Sequence, residues 1–380
     1  MRILHCCLSC FYIDGYNYQE NILPKINKQD GHDVMIVAST ETYVDNKTLG
    51  YVTPCEYFNE DGILVKRIPY KWYPSKLMQH KLRAYKGLSK ILNNFKPDAI
   101  LFHGLCAEAI HTVANYKRMN PNVKLYVDSH EDFYNSARNF LSKNILHNMY
   151  RSFLSKSLGE IDKVLFVSYE VKSFVQKMYG LPESILEFYP LGGIIPPRET
   201  RLQRRNKIRT AHGVKEDDVL FVHSGKMEKA KKTSELVQAL HAVQANNLKL
   251  LIVGSMTDEV AADVMPVVEA DPRIEYLGWK SGEELMDYLC AADLYVQPGT
   301  QSATMQNALC CGSAAALYPY ESHKYLLGDS VFYIETVEDM KNLFAAISTN
   351  PDILEAKRAM SNKIARERLD YKVLAARLYQ

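Results

Sequence analysis

Residues 298–312, PGTQSATMQNALCCG, hold the strongest candidate for anion chemistry. A Pro-Gly-Thr-Gln-Ser turn follows the apolar run 292–297 and precedes the helically spaced Met305, Ala308 and Leu309, so it joins a strand to a helix. Free backbone N–H groups and the positive end of a helix dipole at such a junction suit a phosphate. An ordinary turn capped by Ser302 fits the same letters. Further candidates follow Ser224-Gly225, where Lys226, Lys229, Lys231 and Lys232 gather. His103 and His130 each close an apolar run, and open parallel sheets bind ligands at such strand ends. Cys7 and Cys10 form a lone C-x-x-C with no second pair or histidine set at metal spacing. The eight cysteines are therefore expected to be reduced, mostly buried thiols of a cytoplasmic protein.

The elements that must position these residues alternate between strand and helix signals. A chain of 380 residues fits two domains, and 47% apolar with 24% charged residues is a globular composition. A net charge of +2 argues against a broad nucleic-acid surface, and no apolar run is long enough to span a membrane. Buried-strand runs at 1–7, 33–38, 98–102, 123–127 and 163–167 are interleaved with helical spacing, including a long helix over 136–157. Residues 51–56 and 62–68 bracket Asn59-Glu60-Asp61-Gly62 as a hairpin. The rhythm restarts with strands at 218–223, 248–253, 273–277, 292–297, 314–318 and 331–334, then a helical tail over 353–379. No G-x-G-x-x-G follows the first strand, which removes the main support for a nicotinamide dinucleotide.

Residues 195–209 contain two prolines and six basic residues with almost no apolar periodicity, and read as a solvated linker. The expected architecture is α/β: two Rossmann-like doubly wound domains, 1–195 and 210–362, facing across a cleft that takes the ligand, joined by a linker at 196–209. A basic amphipathic segment over 76–96, preceded by Trp72 and Tyr73, fits either a helix covering its own sheet or contact with an anionic membrane surface.

In this order, Ser-Gly-Lys with a following Lys-Lys, Leu-Leu-Ile-Val-Gly, Tyr-Leu-Gly-Trp with Glu-Glu-Leu, and Ala-Asp-Leu-Tyr-Val-Gln-Pro-Gly with Ala-Leu-Cys-Cys-Gly resemble the nucleotide-sugar half of family 4 glycosyltransferases, which have the GT-B fold. Gly15, Gly31-His32, Val167-Ser168 and Pro190-Leu191-Gly192-Gly193 resemble landmarks of the other half. The ending Ala365-Arg366-Glu367-Arg368 with Tyr371 is similar to a final helix, about 363–380, that packs back on the first domain.

The resemblance implies transfer of a sugar from a nucleotide-diphosphate sugar to an acceptor hydroxyl, with retention and without a metal or other cofactor. Lys226 and Lys231 match the basic pair on the donor diphosphate, Gly15 the glycine loop near it, His130 the histidine near the transferring sugar, and Trp279 and Lys280 the loop that holds the base. Ser224, Gly225, Gly254, Thr300, Gln301, Ser302, Ala303 and Asn307 complete the expected donor-binding set. Two family glutamates with seven residues between them are replaced by Gly299 and Asn307, which leaves the donor sugar open. The implied partners are a nucleotide sugar, a glycan or lipid-linked acceptor of bacterial polysaccharide or glycoconjugate synthesis, and peripheral contact with the cytoplasmic membrane face; no nucleic acid is implied. An epimerase or phosphorylase of the same fold, or a non-catalytic binding protein, are the competing readings.

Overall fold

The computed structural model describes residues 1–380 except Asn46, Lys47, Tyr134, Arg138 and Gln380. The chain forms two units: residues 1–190 with 374–380, and residues 191–373. In the first unit the strands are β1 (Arg2–Cys7), β2 (Asp33–Ser39), β3 (Glu41–Tyr43), β4 (Leu49–Tyr51), β5 (Cys55–Phe58), β6 (Leu64–Ile68), β7 (Ala99–His103), β8 (Lys124–Ser129), β9 (Lys163–Phe166) and β10 (Leu186–Phe188). Eight of them make one sheet in the order β10-β9-β8-β7-β1-β2-β6-β5, parallel except for the edge pair β5–β6. The second unit carries β11 (Val219–Ser224), β12 (Leu248–Val253), β13 (Ile274–Tyr276), β14 (Leu294–Gln297), β15 (Ala314–Leu317) and β16 (Phe332–Tyr333). They form a parallel sheet ordered β13-β12-β11-β14-β15-β16. Every residue of β11, β14 and β15 is buried, as continuous apolar runs covered on both faces require. Both units are α/β with parallel sheets, as the alternation predicts.

Several local expectations need correction. Residues 198–211 are not a solvated linker but the helix Arg198–Ala211. It buries only Ile208, so apolar periodicity cannot reveal it. Charge pairs hold it instead: Arg204 and Lys207 on Asp287, Arg205 and Arg209 on Asp293. The segment 76–96 is two short helices, Lys76–Leu82 and Leu88–Phe95, because Arg83 and Gly87 take left-handed backbone conformations between them. The expected hairpin is present with shifted bounds, β5 pairing with β6 while β4 pairs with β3. The helix expected over 136–157 is regular α-helix only at His147–Ser157, after a π-helical turn Ser142–Leu146; Arg138 of that expectation lies outside the described residues. Of the expected returning tail 363–380, residues 374–380 group with the first unit. There the Tyr189 hydroxyl donates to the Leu374 carbonyl at 2.6 Å. All eight cysteines are free. Among the described residues, no helix is long and apolar enough to cross a membrane.

Candidate active site

In the second unit, the turns after the neighbouring strands β11, β12 and β14 converge. Gly225 and Gly254 both have left-handed φ values, 133° and 142°, and a Cβ on Gly254 would lie 1.8 Å from the Gly225 carbonyl oxygen. Only glycine permits that approach. A Cβ placed on Gly225 would have Lys231 Cε at 3.8 Å and Ser302 Oγ at 3.9 Å, so these two side chains bracket the turn.

Lys231 is buried, and its Nζ donates to the carbonyls of Thr300 and Gln301 at 2.8 and 2.9 Å. Burial pushes its pKa down to about 8, although Glu228 pulls the other way. Lys231 thus ties the 300–301 turn from beneath while keeping one N–H uncommitted. Lys226 is exposed, with its Nζ 2.7 Å from Glu228. Among the described residues, the backbone N–H groups of Gln301, Ser302 and Ala303 find no acceptor. Three consecutive donors without a partner in the chain are available to an anion. Ser302 is not the expected helix cap: Ala303 holds that position in front of the helix Thr304–Cys310. The Ser302 hydroxyl instead accepts from Thr304 N–H at 3.3 Å.

Gly299 is closed rather than merely bare. A Cβ there would fall 2.2 Å from the Ala230 carbonyl oxygen and 2.7 Å from Lys231 Cα. The Thr300 N–H donates to the same Ala230 carbonyl at 2.9 Å, which fixes the close approach. Asn307 lies three residues into the helix, and its Oδ1 accepts from Ile194 N–H at 3.4 Å. Trp279 is 73% exposed beside the half-buried Lys280, just past Gly278, whose carbonyl accepts the Gly254 N–H.

A supporting layer contains Ser224, of the expected donor-binding set, together with Tyr295, Gln297 and His223, which the sequence did not single out. Ser224 is buried and donates to the Tyr295 hydroxyl at 3.4 Å, and Gln297 Nε2 donates to Thr300 O at 2.9 Å. His223 bonds the Val296 carbonyl and the Thr233 hydroxyl, and burial pushes its pKa down to about 4. It is a neutral tie between β11, β14 and the helix Thr233–Ala242. Polar letters inside apolar strands were the only available signal.

In the first unit, a buried polar chain runs across β1, β7 and β8. Asn27 bonds His5 at 2.8 Å, His5 bonds His103 at 3.1 Å, and His103 bonds Asp128 at 2.6 Å. Gly104 N–H adds a bond to Asp128 at 2.8 Å. Burial alone would raise the Asp128 pKa, but His103 and His130 outweigh it and hold the carboxyl well below the usual range. Burial pushes His5 down to about 3, so it is neutral. His130 Nε2 lies 3.8 Å from Asp128. Burial opposes a charge on His130, yet Asp128 prevails and raises its pKa. Asp128 lies in β8, and His130 follows directly after the strand's last residue, Ser129. The Gly15 N–H is not free for an anion, because it donates to the Glu60 carboxylate at 2.9 Å.

The structure therefore brings together Gly225, Lys231, Gly254, Thr300, Gln301 and Ser302, with Lys226 adjacent in sequence. Asn307 lies in the following helix against Ile194, and His130 and Gly15 belong to the first unit.

The description Glycosyltransferase Family 4 matches residues 28–192, and Glycosyl transferases group 1 matches residues 204–368. No curated protein matches the sequence. Similar solved structures include sucrose-phosphate synthase from Thermosynechococcus elongatus, with a TM-score of 0.67 at 12% identity over 99% of this chain and 96% of that one. Anabaena HepE in complex with UDP has a TM-score of 0.68 at 13% identity over 99% and 98%. WaaG, a glycosyltransferase involved in lipopolysaccharide biosynthesis, has a TM-score of 0.62 at 14% identity over 99% of each chain. At such identities the structures establish the GT-B fold, and the two descriptions matched in sequence order establish the rest: this chain belongs to the family 4 glycosyltransferases.

Proposed function

We propose that this glycosyltransferase moves a sugar from a nucleotide-diphosphate sugar to an acceptor hydroxyl with retention, and without a metal. The observation that carries the reading is the run of N–H groups at residues 301–303, without an acceptor among the described residues, beside Lys231 and Gly225. Departure of a diphosphate builds negative charge, and preorganised donors at that position stabilise it. Lys231 and these N–H groups take the diphosphate, and Lys226 gives up Glu228 to join them. Trp279 and Lys280 face the base. His130, which Asp128 disposes toward the imidazolium, serves the transferring sugar. UDP, bound by HepE, is the first nucleotide to test. The acceptor belongs to polysaccharide or glycoconjugate synthesis, and peripheral contact with an anionic membrane is supported by the exposed Trp72, Leu77 and Met78 beside Lys76 and Lys81.

Thermal unfolding against a panel of nucleoside diphosphates and nucleotide sugars tests the donor, since a ligand of the native state raises its stability. With Trp72→Phe, Trp279 is the sole indole and its fluorescence should change with the same nucleotide. A panel in which no nucleotide raises the melting temperature refutes the reading.

A further inference from the structure

Arg83 is half-buried, and its φ of 50° is a left-handed conformation that bulky residues rarely adopt. Its backbone is pinned on both sides, N–H to Gln79 O at 3.2 Å and carbonyl from Ala109 N–H at 3.3 Å. The guanidinium stacks over Phe11 at 5.8 Å and donates from Nη1 to the Ser9 carbonyl, with Ser9 Oγ at 3.5 Å. Among the described residues it makes no other hydrogen bond and no carboxylate pairs with it. Arg67, the buried arginine of the same unit, also lies over aromatic rings but has an ion pair with Asp14 and more of its donors engaged. It spends its donors on Tyr57, Ser39, Tyr12 and Asp14.

The position of Arg83 follows from a run of bonds. Ser9 Oγ accepts from Cys106 N–H at 2.8 Å, and the Cys106 thiol donates to Glu131 Oε1 at 2.7 Å. Glu131 is the neighbour of His130. Arg83 is thus attached to the loops after β1, β7 and β8, the carboxyl edge where an open sheet takes its ligand. Glu131 makes no ion pair with Arg83; its oxygens instead accept from Cys106, Ser136 and Tyr179. A planar guanidinium with spare donors matches a phosphate or carboxylate.

We propose that Arg83 binds an oxyanion carried by the acceptor, a phosphomonoester or carboxylate, at this edge of the first unit. The sugar-transfer reading enters only in naming the owner of that anion an acceptor.

The test titrates inorganic phosphate into the full chain while following thermal unfolding, in wild type, Arg83→Lys, Arg83→Gln and Lys226→Ala. Phosphate should stabilise the wild type, Arg83→Lys should keep most of the response, Arg83→Gln should weaken apparent affinity at least tenfold, and Lys226→Ala should still respond. Equal titrations for Arg83→Gln and wild type, or a response lost only in Lys226→Ala, overturn the proposal. So does an Arg83→Gln protein that is less stable at zero phosphate but binds it unchanged, the behaviour of a mere loop tie. Sedimentation with phosphatidic acid vesicles separates sources. Arg83-dependent vesicle binding assigns the anion to a lipid-linked acceptor, and a phosphate response without vesicle binding assigns it to a soluble one. Phosphate binding is read without any sugar transfer, so a failed nucleotide panel beside a retained phosphate response refutes the transfer reading alone.

Discussion

Lys231 offers a test in which pH and mutation must agree. Its pKa falls from the ordinary 10.5 to about 8 because its ammonium is buried. Below pH 8 it is charged in both folded and unfolded chains, and the burial costs the folded state about 3 kcal/mol. Between pH 8 and 10.5 the folded state releases the proton first, so the unfolded chain binds more protons and this residue makes stability rise with pH. A bound diphosphate reverses the preference by stabilising the ammonium. Nucleotide diphosphate affinity should therefore hold steady from pH 7 to 8, then fall by up to about tenfold per pH unit. Lys231→Met removes both the buried charge and two bonds to carbonyls. Thr300 O retains Gln297, whereas Gln301 O has no other donor among the described residues. Losing such bonds costs about 1.5–3 kcal/mol each, which nearly offsets the relieved burial at pH 7. The variant should then unfold within about 2 kcal/mol of wild type at pH 7 and compare less favourably at pH 9.5. Its transfer rate should fall on the order of 10²–10³-fold. Isothermal titration of UDP across pH and urea unfolding of both proteins provide the readouts. An affinity flat to pH 9.5 in the wild type, or near-normal turnover in Lys231→Met, refutes the reasoning.

Two further outcomes follow from packing. Restoring the family residue with Gly299→Glu should not restore anything: its Cβ would strike the backbone of Ala230 and Lys231, lowering stability by about 1–3 kcal/mol or more without raising the transfer rate. An unchanged melting temperature for that variant would contradict the closed turn. Asp293 is buried and accepts from Arg205, Arg209, Arg358 and the Leu220 N–H, so Asp293→Ala should cost about 3–5 kcal/mol in urea unfolding, and a loss below 1 kcal/mol would remove the charge-pair account of the helix Arg198–Ala211.

The parallel sheets were legible because a strand buried on both faces writes itself as a continuous apolar run. The helix Arg198–Ala211 was not, because its register is set by arginines reaching Asp287 and Asp293, and charge spacing without apolar spacing also describes a solvated segment. The first half of the break between Leu82 and Leu88 was hidden for another reason: Gly87 marks its end, but at Arg83 neither proline nor glycine stands, and the left-handed turn there is held by backbone bonds to Gln79 and Ala109. His103 was legible only as a histidine at a strand end, and His5 was not singled out, because their link to Asp128 exists only once β1, β7 and β8 pair and place His103 opposite Asp128.

The stretch 298–312 shows how far a motif comparison can reach. Sequence alone reveals that a glutamate is missing at 299, and it invites the thought that Thr300, Gln301 or Ser302 substitutes with a side chain. The backbone gives a different physical meaning. Because position 299 carries no Cβ, the turn sits against residues 230–231, Thr300 N–H bonds Ala230 O, and Lys231 Nζ reaches the carbonyls of Thr300 and Gln301. Those three contacts fix the turn, and among the described residues the 301–303 N–H groups have no acceptor. Under the proposed transfer, Gly299 trades a side chain for a closed backbone turn, so contacts that choose the donor sugar come from other residues, and Lys231 with the 301–303 N–H groups is the set to test for the diphosphate.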